Sequence, residues 1–95
     1  MTAYRYDGTF AGFLTCAWDA LEGGTEPSAF LLPGDGATLW EERQVAADQG
    51  RARRLYAALS RRVSPAFQKL IARGFLTCLP EKELALLTLI RRGLR

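Results

Sequence analysis

The pattern of hydrophobic and polar positions divides the first half of the chain into a short strand and a helix. Tyr4 and Tyr6 alternate with Arg5, which predicts a half-buried strand over residues 2–6. Asp7-Gly8 then turns the chain. The next apolar positions share one helical face up to a stop at Gly23-Gly24: Phe10, Phe13, Leu14, Ala17, Trp18 and Leu21. The glycines and prolines of residues 25–38 predict a loop, and residues 44–46 a second strand that pairs with the first.

The second half of the chain is predicted to be mostly helical. Asp48 is suited to cap one helix, and Ser64 followed by Pro65 marks the start of the next. Pro80 opens a last helix that ends near Gly93. The apolar positions of the two middle helices are Ala52, Leu55, Tyr56, Leu59 and Val63, followed by Phe67, Leu70, Ile71, Phe75 and Cys78. Gly74, inside the third helix, either permits close packing or bends the helix.

These elements predict an α+β fold with a small two-stranded sheet and about four helices, in a single domain over residues 1–95. The helix face from Phe10 to Leu21 is expected to meet the faces around Leu55 to Leu59 and Leu70 to Ile71. The last helix is apolar on nearly all sides, which requires cover on all sides. We therefore expect Leu86 and Leu89 to form an exposed apolar patch that is buried by self-association or by a partner.

Size and composition are those of a small globular protein. The chain has 95 residues, of which 48% are hydrophobic and 24% charged. It shows neither a signal-peptide pattern nor an apolar run long enough to span a bilayer, so a cytoplasmic location without membrane association is the default expectation. Cys16 and Cys78 both fall in apolar helical patterns and are expected to be buried, reduced thiols.

Charge is distributed unevenly along the chain. Residues 1–47 carry two arginines and seven carboxylates, whereas residues 48–95 carry eleven basic and three acidic residues. Such asymmetry indicates an anionic partner for the second half, or one half facing the other. On the second helix Arg51, Arg54, Arg61 and Arg62 project as one stripe beside the buried face. The stripe suits a phosphate backbone or an acidic partner, and a solvated arginine-rich face is the alternative.

Candidate catalytic chemistry is sparse. The chain has no histidine, the commonest general base, and its two cysteines match no metal-binding spacing, so we expect neither a metal nor a cofactor. Asp7 is the one candidate catalytic residue. Its side chain either caps the following helix or, with Tyr6, lines a site at the carboxyl edge of the strand. Gly12 is interpreted as a close-packing position within the helix.

The junction between the first strand and helix carries a motif, Tyr6-Asp7-Gly8-x-Phe10-x-Gly12-Phe13-Leu14, and the chain ends on Leu84-Ala85-Leu86-Leu87-x-Leu89-Ile90-Arg91-x-Gly93. Both stretches resemble a bacterial family described as DNA metabolism proteins. Its members are encoded beside a radical-SAM protein assigned to DNA modification or repair, and a similar domain is fused to uracil-DNA glycosylase-like domains. The resemblance implies that this chain is the N-terminal part of a longer family domain.

Three functions follow from the resemblance and the arginine stripe. The first is an accessory module in DNA repair or modification that contacts DNA, the radical-SAM protein, or both. The second is a protein-interaction domain without nucleic-acid contact. The third is a nucleobase-acting enzyme fragment that uses Asp7, although a chain without histidine or a metal site gives little reason to expect an enzyme. The first function is the one that the sequence favours.

Overall fold

The computed structural model describes residues 1–95 as three strands and four helices. In chain order the elements are β1 (Thr2–Arg5), α1 (Phe10–Leu21), β2 (Pro27–Leu31), β3 (Glu41–Gln44), α2 (Gln49–Arg62), α3 (Pro65–Phe75) and α4 (Lys82–Gly93). The predicted mixed α+β architecture is confirmed, including the mostly helical second half. None of the helices is long and apolar enough to cross a membrane.

The sheet has three parallel strands in the order β2-β1-β3, so the prediction of two strands is wrong. Residues 25–38 were expected to form a loop, but they contain β2, in which Pro27 is the first residue. Proline is tolerated there because the first position of an edge strand needs no ladder donor. The strand expected at residues 44–46 lies earlier, at Glu41–Gln44, and it pairs with β1 as predicted.

The segment from residue 32 to residue 40 returns the chain across the sheet without a helix, and Arg5 holds it in place. The Arg5 guanidinium donates to the carbonyl oxygens of Leu32, Asp35 and Gly36 over 2.7–3.0 Å. Its Nε also donates to Glu42 at 2.8 Å. One side chain of the central strand therefore organises the connection between the two edge strands.

Helix starts follow the predicted caps with one exception. The carboxylate of Asp48 accepts from the Arg51 N–H, and the hydroxyl of Ser64 accepts from the Phe67 N–H, both at 3.0 Å. At the start of α1 the cap is Thr9, whose hydroxyl accepts from the Gly12 N–H. Asp7 was expected to cap this helix, but it instead supports the residue that does.

The core lies between the sheet and the helices. Phe13 and Leu14 of α1 are buried together with Leu55 and Leu59 of α2, as the helical patterns predict. Phe75 of α3 reaches the core through ring contacts with Phe10 and Phe13. Two positions assigned to the buried face of α3 are wrong: Leu70 is 53% exposed, and Cys78 lies beyond the end of the helix. Helix α3 ends at Phe75, and beyond it the Thr77 hydroxyl donates to the Gly74 carbonyl oxygen.

The last helix is covered largely by its own domain. Leu86, expected on an outward patch, is buried, as are Leu87 and Ile90, whereas Leu89 is 38% exposed. Leu86 fits because Gly74 of α3 leaves room for it: a Cβ at Gly74 would lie 2.8 Å from the Leu86 Cδ2. Gly74 is therefore a close-packing position, and the apolar surface of α4 is smaller than its sequence predicts.

Candidate nucleic-acid interface

A groove of about 400 Å³ lies where the ends of α1 and α2 meet the C-terminal residues. Its floor is apolar, and its edges carry three arginines and one glutamate. The floor consists of Trp18, Leu21, Leu55, Ala58 and Leu94, and the charged residues are Glu22, Arg54, Arg61 and Arg62. The volume falls in the range of about 300–1,000 Å³ that is typical of ligand pockets.

The groove follows from the residue order on α2. Leu55 is buried and anchors the helix against α1. Arg54, Ala58 and Arg61 recur at intervals of four and three residues, which aligns them along one exposed side of the helix. Ala58 leaves space between the two arginines because its side chain is a single methyl group.

The arginines of the groove are free of ion pairs. Arg54 and Arg61 take part in none of the four ion pairs of the structure, and Arg62 donates only to the Leu94 carbonyl oxygen at 3.3 Å. The acidic first half meets the basic second half in a single ion pair, Arg91 with Glu26. Internal pairing between the halves therefore leaves most of the positive charge of the second half available.

Arg51 is separated from the other three arginines of the predicted stripe. It borders a different cleft, of about 270 Å³, that also contains Asp19 and Arg43. Its Nε lies 3.7 Å from the Asp48 carboxylate, one turn before it on the same helix. The structure therefore groups Arg54, Arg61 and Arg62 in one groove and leaves Arg51 outside it.

Asp7 and Tyr6 do line a cleft at the carboxyl edge of β1, of about 290 Å³, beside Gln44. The Asp7 Oδ1, however, accepts from both the hydroxyl and the N–H of Thr9, at 2.6 and 2.9 Å. These two hydrogen bonds, that from the hydroxyl foremost, lower the pKa of Asp7 below its ordinary value. Asp7 is thus an ionised carboxylate with a local structural role.

The other motif residues also have structural roles. The Tyr6 hydroxyl donates to the Glu83 carboxylate at 2.7 Å, and burial, together with this bond, raises the pKa of Tyr6. Gly8 has a φ of +84°, a left-handed conformation that favours glycine in the turn. Phe10 and Phe13 belong to the aromatic core. The motif therefore builds the strand–turn–helix junction.

The two cysteines differ in environment, which corrects the expectation that both are buried. Cys16 is buried and Cys78 is exposed, and the two form no disulfide. Burial raises the pKa of the Cys16 thiol to about 12. No three histidine, cysteine, aspartate or glutamate side chains come together in a group that could hold a metal ion.

Sequence reasoning identified the arginines but not the surface between them. Trp18 and Leu21 were assigned to a buried helix face, and Glu22 and Leu94 had no assigned role, yet all four line the groove. The available signal was the small residue Ala58 between Arg54 and Arg61.

Comparison with protein-family models, curated proteins and solved structures gives no match. Function must therefore be inferred from the groove, its charges and the motif.

Proposed function

We propose that this chain is an accessory module in DNA repair or modification that contacts the nucleic-acid backbone through Arg54, Arg61 and Arg62. The observation that carries the proposal is the placement of three arginines without ion pairs around one groove. Guanidinium groups bind phosphate oxygens in bidentate fashion and stay charged at all physiological pH values. With Glu22 included, the groove has a net charge of +2.

Helix stability explains only some of these arginines. Arg61 and Arg62 lie in the last turn of α2, where a cation interacts favourably with the helix dipole. Arg54 lies two turns earlier than Arg61, beyond the reach of that effect, and forms no ion pair. Binding of an anion gives a single reason for all three charges.

The motif at residues 6–14 supports the biological context. Its resemblance to the family of DNA metabolism proteins favours DNA as the anion and a radical-SAM DNA modification or repair protein as the partner. The module would then hold DNA, its partner, or both, while the chemistry resides elsewhere. A binding role without catalysis agrees with the structural roles of Tyr6 and Asp7 at the strand–helix junction.

Fluorescence anisotropy with a labelled oligonucleotide at several salt concentrations tests the proposal. Affinity should fall with salt by about 0.9 log units per log unit of salt for each duplex phosphate contact, or about 0.7 on a single strand. The combined change of Arg54, Arg61 and Arg62 to glutamine should make the salt dependence shallower by the contribution of about three such contacts. Glu22→Gln should strengthen binding, because it removes the only negative charge of the groove.

A matched control is available on α2 and α3. Arg53, Lys69 and Arg73 are exposed basic residues outside the groove, and changing all three to glutamine alters the net charge equally. This control should keep most of the affinity and of the slope. Absence of binding at low salt, or an equal loss in both triple variants, would contradict the proposal.

A protein-interaction function without nucleic acid is the second candidate. The mainly apolar floor of the groove favours it, because an acidic protein surface with an apolar centre would fit the same residues. Pulldown of the radical-SAM partner with and without nuclease separates the two. Capture that survives nuclease treatment, by a chain that does not bind oligonucleotides, would favour the interaction domain.

A further inference from the structure

The floor of the arginine groove is an apolar surface, which contact with a phosphate backbone does not require. A duplex presents phosphates and sugars on its outside and keeps the faces of its bases stacked inside. The groove that Arg54 and Arg61 border, by contrast, is also lined by the indole of Trp18 and the aliphatic side chains of Leu21 and Leu55. An apolar, aromatic surface flanked by cations matches an unstacked base with phosphates on either side.

We infer that the groove binds single-stranded nucleic acid, with one base on the floor against Trp18 and neighbouring phosphates held by Arg54 and by Arg61 with Arg62. This inference rests on the proposed function and specifies its ligand. Single-strand binding proteins combine the same two elements, a positively charged groove and aromatic side chains on which bases stack.

The spacing on α2 suits this arrangement. Arg54 and Arg61 are separated by seven positions, which is about 10 Å along the helix axis. Ala58 lies between them and presents only a methyl group, so the space between the two guanidinium groups remains open. A base can therefore enter between two phosphate contacts.

The neighbouring clefts do not combine these properties. A second apolar cleft, of about 320 Å³ beside Phe10 and Tyr56, has Arg53 as its only charged residue. The cleft at Arg51 has basic residues, but it also contains the carboxylates of Asp19 and Asp48 and no aromatic side chain. Among these clefts, only the groove at Trp18 combines an aromatic side chain with more than one arginine that is free of ion pairs.

The test uses intrinsic fluorescence. Trp40→Phe leaves Trp18 as the only tryptophan of the chain. Titration with oligothymidylate should change Trp18 fluorescence with saturation, whereas a duplex of matched length should change it little. The single strand should also bind more tightly than the duplex when both are compared by anisotropy at the same salt concentration.

A groove-filling variant separates base binding from phosphate contact. Trp18 packs against the core, so its removal would also affect folding. Ala58→Leu instead fills the floor without changing charge, and leucine is nearly as good a helix former as alanine. It should weaken binding of oligothymidylate by about 5- to 150-fold, the value of one base–aromatic contact, while duplex affinity stays the same. Ala57→Leu, at an exposed neighbouring position outside the groove, should have no effect on either ligand.

The outcomes distinguish the two levels of the proposal. Failure to bind either oligonucleotide would overturn both the inference and the proposed function. Equal affinity for single strand and duplex, unaffected by Ala58→Leu, would overturn the inference and leave backbone contact in place. An equal loss in the Ala57→Leu control would also overturn the inference, because the effect would not originate in the groove.

Discussion

Gly12 lies in the first turn of α1, where the helix passes close to the turn that precedes it. A Cβ at this position would lie 2.2 Å from the Oδ1 of Asp7 and 3.1 Å from the Cδ2 of Tyr6. The same Asp7 oxygen accepts two hydrogen bonds from Thr9, the N-cap of the helix. We therefore expect Gly12→Ala to displace the Asp7 carboxylate and to weaken the cap.

Two opposing effects determine how much Gly12→Ala changes the free energy of unfolding. Alanine in place of glycine inside a helix stabilises by up to about 1 kcal/mol. Hydrogen bonds to a charged group contribute about 1.5–3 kcal/mol each, and Asp7 is exposed, so the lower end applies to its pair with Thr9. Loss of both bonds outweighs the gain, and we expect Gly12→Ala to lower the free energy of unfolding by about 1–2 kcal/mol. In a domain of this size that corresponds to a fall in Tm of about 4–8 °C per kcal/mol.

Chemical denaturation followed by circular dichroism, arranged as a double-mutant cycle, is the assay. Asp7→Ala removes the carboxylate, so a second change of Gly12 to alanine should cost far less than it does in the native chain. The coupling between the two positions should reach about 1 kcal/mol. Gly50→Ala is the matched control within a helix, because its Cβ would meet only the Asp48 Oδ1 at 3.4 Å. It should be neutral or stabilising by up to about 1 kcal/mol.

An equal loss in the free energy of unfolding for Gly12→Ala with and without the Asp7 carboxylate would show that displacement of Asp7 is not the cause. A Gly12→Ala chain with the same free energy of unfolding as the unmodified chain would contradict the prediction too, because the turn would then have room for the methyl group. The first result would leave the contact with Tyr6 as the reason for a glycine at this position, and the second would leave Gly12 without a packing role.

Three further predictions concern titration, thiol reactivity and self-association. Because hydrogen bonds from Thr9 lower the pKa of Asp7, the stability lost in Asp7→Ala should be greatest at neutral pH. The loss should narrow as the pH falls below about 4, because the Asp7 carboxylate of the unfolded chain takes up a proton there and that of the folded chain does so only at lower pH; a pH-independent difference in Tm would contradict this. Cys78 should react with a thiol reagent in the native protein and Cys16 only after unfolding, because Cys16 is buried with a raised pKa; rapid modification of both would contradict the structure. Self-association through α4 now depends on Leu89, so Leu89→Gln should convert any dimer seen by light scattering behind a sizing column into monomer, and an unmodified chain that is already monomeric would contradict it.

Local structure was readable from the sequence because its causes are local. The start of α2 at Asp48 and of α3 at Ser64-Pro65 depends on hydrogen bonds between residues three positions apart. Helical periodicity identified Phe13, Leu14 and Ala17 as buried positions of α1, whereas Trp18 and Leu21, on the same predicted face, are only partly buried. The four arginines of the predicted stripe on α2 are all exposed, although Arg51 borders a different cleft from the other three.

Tertiary structure decided the rest, because the outcome depended on which distant residues meet. Pro27–Leu31 carries loop-like residues and becomes a strand because β1 supplies its partner. Leu86 is buried rather than exposed because Gly74, twelve positions earlier in the chain, makes space for it. Arg54 and Arg61 became a candidate site only because the packing of α1 and the residue that follows α4 bring Trp18 and Leu94 into the same groove. Periodicity assigns a residue to a face of its own helix, but the neighbour of that face is set by the global packing of the chain.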